Sequence, residues 1–287
     1  MNETDFPAIY RSADSLSASS QKNFLRALKS HLLLLVFAAV LSAIGNPSVG
    51  TVIIQIVALL AALACSIYLF GVRPDKEWYS SRAVAESVKT ITWRFVCRAE
   101  PFDGACDVAE STFRRRITQI VEQNRGVAQA AICNIGESQI TPIMKEIRGK
   151  SLLERQGVYH EYRIQNQLSW YADKAKQNSE SSKKFFLLLV MINAMAVLSA
   201  LIRTQFLEVS FWFTDIFVAA AASLLSWMQA KRFSELAASY ALTAHEISLI
   251  RDQSFSARDD GEFSIFVGDS ENAFSREHTQ WCARRDV

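Results

Sequence analysis

Four polar residues inside or beside long apolar stretches have the side chains best suited to chemistry in a membrane: Gln55, Asn193, Glu208 and Asp215. A carboxylate in a bilayer costs free energy unless it faces protein or water, so Asp215 predicts either a pore lining or a polar contact between helices. Its closeness to Glu208, seven residues away, also fits solvation at the membrane interface. Gln55 and Asn193 are uncharged and fit interhelical hydrogen bonds as well as pore lining.

The densest basic patch is the run Arg114-Arg115-Arg116. Clustered arginines on the cytosolic side of a membrane can bind a phosphate-rich signal or anionic lipid. The alternative is an ordinary solvated face of a helix. The sequence leaves both interpretations open.

Motifs for catalysis are missing from the sequence: it has no Walker loop and no GxGxxG, HExxH, GxSxG or CxxC. Glu277 and His278, with Arg276 and Asp269 nearby, supply acid and base groups but neither a nucleophile nor a metal shell. We therefore expect a protein that is not an enzyme, with no catalytic residue, no bound metal and no cofactor.

Two long apolar blocks carry the intramembrane candidates. Residues 30–72 contain no Asp, Glu, Lys or Arg, and only Gly45-Asn46-Pro47 interrupts them. A span needs about 20 apolar residues, so this block predicts a transmembrane hairpin with a tight turn. Residues 185–230 predict a second hairpin. The expected fold is an all-α membrane protein with four spans and a helical cytosolic domain.

Composition fits a membrane protein with a large aqueous part, because half the residues are hydrophobic while 21% are charged. The net charge of +2 argues against nucleic acid as a partner. The predicted segments follow in chain order. They are an N-terminal cytosolic segment (1–29), the first hairpin (30–72), a cytosolic helical domain (73–184), the second hairpin (185–230), and a cytosolic C-terminal helix and tail (231–287).

The distribution of Lys and Arg predicts the orientation. Nine of them flank the outer ends of the two hairpins, whereas the hairpin tips hold only Arg203. The positive-inside rule therefore places both termini and residues 73–184 in the cytosol.

Helical periodicity recurs between the hairpins. Apolar residues at helical spacing predict a helix over residues 77–98, and Thr141-Pro142 begins a further one. Ser151 and Glu154 have the spacing of a capping box, which predicts a long helix over residues 151–202.

After the second hairpin, the pattern predicts an unbroken helix through residues 231–251. Glycines then flank an apolar run, which predicts a short strand or extended segment over residues 263–267 and a last helix over residues 270–285. Both hairpins are followed by helices that carry Tyr, Ala and Glu at similar spacings, which suggests an ancient duplication. These positions are Tyr79, Ala83, Glu86, Tyr240, Ala244 and Glu246.

Three stretches of the chain resemble the SLATT family of prokaryotic membrane proteins. They are EWYSSRAVAESVKTITWRF (77–95), YRIQNQLSWY (162–171) and SREHTQWCARR (275–285). The resemblance implies a transmembrane hairpin followed by a helix and gives a structural role to the motif residues. These are Trp78, Tyr79, Arg82, Glu86, Trp170, Tyr171, Arg276, Glu277 and His278.

The resemblance also implies a function. Members of the family are proposed to be pore-forming effectors in bacterial conflict systems, encoded beside nucleotide-signalling synthases or other sensors. The expectation is a channel-forming effector of anti-phage defence by abortive infection, which depolarises the inner membrane when a sensor protein or nucleotide signal triggers it. The alternatives are a non-conducting scaffold that binds a cytosolic partner and a constitutive channel or transporter.

Four spans leave little room for an aqueous path within one chain. A ring of several subunits in contact with membrane lipid encloses such a path more readily, so we expect a homo-oligomer, with a tetramer as the specific prediction.

Overall fold

The computed structural model of the protein describes residues 1–44, 47–206 and 213–283, with side chains as far as residue 275. All regular structure in this part of the chain is helical, as predicted. A short 3-10 turn at Glu3–Asp5 precedes the helices. The helices are α1 (Ala8–Ser42), α2 (Val49–Gly71), α3 (Pro74–Val96), α4 (Cys106–Gln123), α5 (Arg125–Ala130), α6 (Pro142–Gly149), α7 (Leu152–Tyr159), α8 (Asn166–Arg203), α9 (Thr214–Lys231), α10 (Phe233–Asp252) and α11 (Asp260–Ala283).

The chain divides into two compact units. The first, here the packed unit, comprises Met1–Gln21, Asp75–Lys174 and Ser239–Val287. The second, here the apolar unit, comprises Lys22–Pro74 and Ala175–Ala238. The division falls within helices α1, α8 and α10 and after the first residue of α3, so these helices contribute residues to both units.

Three helical stretches in the described residues are long and apolar enough to cross a membrane: Ala8–Ser42, Val49–Val96 and Leu152–Arg203. The predicted fourth span corresponds to α9, which falls outside this set. Helix α9 has Asp215 in its first turn and Lys231 in its last. Residues 207–212, which belong to the predicted second hairpin, lie outside the described part of the chain.

Aromatic side chains form the centre of the packed unit. Phe95 and Phe113 lie 4.8 Å apart between ring centroids, and Trp93 and Tyr159 lie 5.8 Å apart in an edge-to-face arrangement. Phe6 contacts Trp93 at 6.2 Å. The N-terminal segment, which the sequence analysis left without secondary structure, therefore begins helix α1 and contributes to the core.

The predicted helix starts between the hairpins are confirmed. The Thr141 side chain accepts a hydrogen bond from Met144 N at the start of α6, where Pro142 occupies the first turn. Ser151 and Glu154 form both hydrogen bonds of a capping box at the start of α7. The helix predicted over residues 151–202 is observed over 152–203, with a π-helical segment at His160–Gln165.

The short strand or extended segment predicted over residues 263–267 is wrong, because these residues lie in α11. Phe263, Val267, Glu271 and Phe274 recur every three or four residues and are all buried, which is the period of a helix packed on one face. The Asp259 side chain accepts a hydrogen bond from Glu262 N and begins the helix ten residues before the prediction.

The helix predicted as unbroken over residues 231–251 is interrupted at Arg232, which has a left-handed backbone with φ of 50°. A left-handed residue ends an α-helix, so α9 stops at Lys231 and α10 begins at Phe233. Arg73 has the same φ of 50° between α2 and α3. Both predicted hairpins are thus followed by a left-handed arginine and a new helix.

Candidate functional site

The polar side chains of the first hairpin bond across it. Gln55 of α2 donates a hydrogen bond from Nε2 to the carbonyl oxygen of Ala38 in α1 at 3.3 Å. His31 of α1 places Nδ1 3.0 Å from the carbonyl oxygen of Ala62 and 3.2 Å from Ser66 Oγ, both in α2. Gln55 therefore has the geometry of an interhelical hydrogen bond, and His31 adds a second polar link that the sequence analysis did not single out.

In the second predicted hairpin, a polar contact joins the two helices, and the polar side chain of Asn193 faces outward. Ser199 Oγ of α8 lies 2.9 Å from Thr214 Oγ1 of α9. Asn193 is exposed and donates from Nδ2 to the carbonyl oxygen of Leu189 in its own helix, at 2.8 Å. Asn193 and Gln55 thus differ in direction: the amide of Gln55 reaches another helix, and that of Asn193 does not.

Asp215 lies in the first turn of α9 and is exposed. A carboxylate in this position interacts favourably with the partial positive charge of the helix N-terminus. Glu208 lies outside the described residues. The contacts of Gln55, Asn193 and Asp215 in the described part of the chain do not join them into one polar surface, and their predicted role in a pore stays a prediction.

The three arginines of the basic run are exposed on α4, whose opposite face buries Phe113 and Ile117. Arg114 pairs with Glu110 at 3.0 Å, and Arg116 donates to Gln119 at 3.3 Å. Arg115 is exposed between them. The run forms a solvated helix face, and binding of an anionic ligand there stays a prediction.

The family-motif residues of α3 pack against one another and against the N-terminal helix. The rings of Trp78 and Tyr79 stack with centroids 4.5 Å apart. Arg82 pairs with Glu86 one turn later at 2.7 Å and with Asp14 of α1 at 3.4 Å. These contacts hold α3 to the first half of α1 within the packed unit.

The aromatic motif residues of α8 form a second cluster. Trp170 and Tyr171 lie 4.9 Å apart, and both contact Tyr240 of α10, at 5.5 and 5.6 Å respectively. The cluster joins α8 to α10. The side chains of Arg276, Glu277 and His278 lie outside the described part of the structure.

A fully buried ion pair is the main polar feature that the sequence analysis missed. Arg163 donates from Nε and Nη2 to the two carboxylate oxygens of Glu271, at 2.8 and 2.6 Å, and the two side chains are 1% and 0% exposed. Tyr159 donates its hydroxyl to the same carboxylate at 3.0 Å. Burial and the Glu271 charge raise the pKa of Tyr159 well above its usual value. Arg163 lies in the motif stretch 162–171, four residues after Tyr159. Residues at this spacing share one face of a helix, and this was the available sequence signal that the two side chains act together.

This ion pair holds the π-helical segment, since Arg163 belongs to it and Glu271 belongs to α11. His160, the first residue of the segment, places Nδ1 2.7 Å from Ser254 Oγ. A π segment widens a helix locally and is stable only where neighbouring contacts support it. The buried pair and the histidine contact provide that support.

Two further buried arginines bond to backbone carbonyls at the end of α3. Arg148 donates to Phe95 O at 2.7 Å and to Gly104 O at 2.9 Å. Arg155 donates to Cys97 O at 2.8 Å and pairs with Asp260 at the start of α11. Because the last carbonyls of a helix lack partners within it, these arginines supply the missing donors. The packed unit is thus held by charged groups whose partners lie inside it.

Two family models match the chain in tandem. SMODS and SLOG-associating 2TM effector domain 3 (SLATT_3) matches residues 7–156, and SMODS and SLOG-associating 2TM effector domain 1 (SLATT_1) matches residues 159–281. Searches of curated proteins and of solved structures gave no match. The first match contains α1 to α3 and the second contains α9 and α10, each with its left-handed arginine. The chain, a membrane protein, therefore belongs to the SLATT family.

Proposed function

We propose that this protein is a pore-forming membrane effector of a bacterial anti-phage defence system, which depolarises the inner membrane when triggered. The observation that carries the proposal is the tandem match to two effector domains, each described as having two transmembrane segments. Two such domains would give four spans, and α9 is the described helix that corresponds to the fourth. The mechanism needs no catalysis and no cofactor, because opening an aqueous path is itself the lethal act.

Orientation follows from charge. With both termini inside, the packed unit lies in the cytosol, where a sensor protein or a nucleotide signal can reach it. The exposed arginines of α4 are the proposed contact for a phosphate-bearing signal. Cysteines introduced at Ser48 and Gln205 should react with an impermeant thiol reagent in intact spheroplasts, and one at Ser179 should not. Labelling at residue 179 would contradict this topology.

The apolar unit supports the proposal through its exterior. Val49, Phe70 and Val197 are 78%, 86% and 60% exposed, which fits contact with lipid or with other copies of the chain. One chain with four spans encloses little water, so the conducting form is a homo-oligomer, for which we propose four subunits.

Controlled expression tests the proposal in cells. Expression of the chain with its natural trigger, or strong expression alone, should collapse the membrane potential of the cells before growth stops. A voltage-sensitive dye reports this potential. Growth arrest with an intact potential would contradict pore formation and favour a scaffold. Ion conductance at rest without any effect on growth would instead favour a constitutive channel.

A further inference from the structure

Helix α8 exposes a polar side chain in the middle of an otherwise apolar surface. Within the apolar unit it buries Ala196 and half-buries Ile192 and Ser199, and these residues face its neighbours. Asn193 lies on the exposed side, with Val190 and Val197 one turn to each side at 48% and 60% exposure. A lipid tail offers no hydrogen-bond partner, so an amide in this position favours contact with another polar group.

The exposed residues around Asn193 follow a heptad spacing. Steps of four and three residues alternate along an exposed stripe that contains Asn193. This is the spacing of the contact seam between two helices that pack in parallel. The stripe, here the α8 stripe, consists of Phe186, Val190, Asn193, Val197, Ala200 and Thr204. A neighbouring exposed stripe through Leu187, Met191, Ala194, Leu198 and Leu201 has the same spacing but carries no polar side chain, so the amide is what distinguishes the two.

The hydrogen bonds of the amide leave capacity for a partner. In the described part of the chain Asn193 makes one hydrogen bond, from Nδ2 to Leu189 O, whereas an amide has two N–H groups and a carbonyl oxygen. Gln55 provides an internal comparison, because its amide bonds to α1 inside the unit. An amide is its own complement, since one copy can donate to the other and accept in return.

We propose that the α8 stripe is the surface through which copies of this chain meet, with Asn193 of one copy hydrogen-bonded to Asn193 of the next. Copies inserted into one membrane share an orientation, so their α8 helices are parallel and their Asn193 side chains lie at the same depth. One polar residue in an apolar seam fixes the register, and Ala200 allows close approach. The inference rests on the proposed function in that it names the contact of the proposed homo-oligomer.

Cysteine cross-linking in membranes tests whether the α8 stripe is the face of the helix through which copies meet. Val197→Cys lies on the stripe, whereas Met195→Cys is the matched control: Met195 is 47% exposed, two residues away, and about 160° around the helix. Under mild oxidation, the variant at 197 should form several times more disulfide-linked dimer than the variant at 195, each measured against the unsubstituted chain. Equal yields, or a higher yield at 195, would overturn the proposal.

A second variant tests the amide. Asn193→Val should weaken self-association in liposomes, measured by energy transfer between labelled copies, by about three- to tenfold. Asn193→Gln keeps an amide and should retain most of the association, and Met195→Val should leave it unchanged. Association of the Asn193→Val variant at the level of the unsubstituted chain would overturn the role of the amide.

Neither experiment measures conductance. Cross-linking at 197 in a protein that never conducts would support the stripe and reject the pore, whereas conductance with cross-linking confined to 195 would do the reverse.

Discussion

The packed unit and the apolar unit handle their polar groups in opposite ways. In the packed unit, Arg148, Arg155 and Arg163 are almost wholly buried, and each is bonded within the unit. In the apolar unit, Gln55 and Ser199 bond to neighbouring helices, while long apolar faces and Asn193 remain exposed.

The difference indicates where each unit obtains its stability. The packed unit has a core of its own, and its buried arginines Arg148, Arg155 and Arg163 bond to partners inside it. The apolar unit exposes apolar surface that a soluble domain would bury. Its stability therefore depends on lipid or on other copies of the chain that cover this surface. Substitutions in the first unit should therefore change folding stability, and substitutions in the second should change association or conductance.

The largest expected effect comes from Glu271→Leu. It leaves Arg163 buried without its partner and should lower the free energy of unfolding by about 3–5 kcal/mol. The double variant Arg163→Met/Glu271→Leu should recover most of that loss, because it removes both charges. Urea unfolding of the full chain in detergent measures both. The pair Arg251–Asp252, with side chains 40% and 66% exposed, offers a control, since Asp252→Asn should have little effect on the free energy of unfolding. An equal loss in that control would refute the contrast between the buried and the exposed pair.

Arg155→Met should have the next largest effect. It removes the donors to Cys97 O and Lys150 O and should cost about 2 kcal/mol, measured by the same unfolding experiment. Asp260 is 54% exposed and stays solvated in the variant. Arg251→Met is the matched control, because the Arg251 side chain is 40% exposed and pairs with the exposed Asp252. A loss below that of the control would show that Arg155 does not hold the end of α3.

Alkaline pH should weaken the packed unit through its buried tyrosines. Burial raises the pKa of both Tyr10 and Tyr159 above the usual value. The folded state therefore keeps protons that the unfolded chain releases above pH about 10. The stabilisation is complete below that pH and declines above it, by up to about 1.4 kcal/mol per pH unit for each group. Tyr159→Phe should reduce the slope of stability against pH above 10; an unchanged slope would exclude Tyr159 as a contributor.

In the apolar unit, Gln55→Leu should have a smaller effect. It removes the hydrogen bond to Ala38 O and should destabilise by about 0.6 kcal/mol, the average for such bonds within membranes. Thermal unfolding in detergent detects this, with exposed Ile56→Leu as the control. A loss as large as that of Glu271→Leu would remove the distinction between the units.

Asp215→Asn should have the smallest effect on stability, within about 0.5 kcal/mol, because the side chain is exposed. If the carboxylate lines the pore, single-channel recording should nevertheless show a changed cation preference or conductance. An unchanged current from an intact oligomer would remove Asp215 from the pore and direct attention to Asn193.

Local signals in the sequence predicted much of the fold. Apolar length predicted the first hairpin, and the caps at Thr141 and Ser151 predicted helix starts, because these features depend on residues a few positions apart. The strand error at residues 263–267 has the opposite cause. The flanking glycines suggested breaks in regular structure, whereas the burial of one face of these residues within the packed unit stabilises a helix.

Contacts between residues that are far apart in the chain could not be predicted from the sequence. Arg163 and Glu271 lie 108 positions apart, and no local pattern specifies their meeting. The directions of Gln55 and Asn193 also depend on where neighbouring helices lie. Sequence reasoning identified these amides as intramembrane polar groups but left open which of them bonds within the chain.

Ion flux through liposomes that contain only the purified protein tests the central claim most directly. Vesicles loaded with a potassium gradient should keep a dye-reported potential until the chain is activated by its trigger or added at high density, and should then lose it. At an equal amount of protein per vesicle, the Asn193→Val variant should cause a smaller loss of potential than the unsubstituted chain. A potential that persists with correctly inserted protein and its trigger present would contradict the account of this protein as a pore-forming effector.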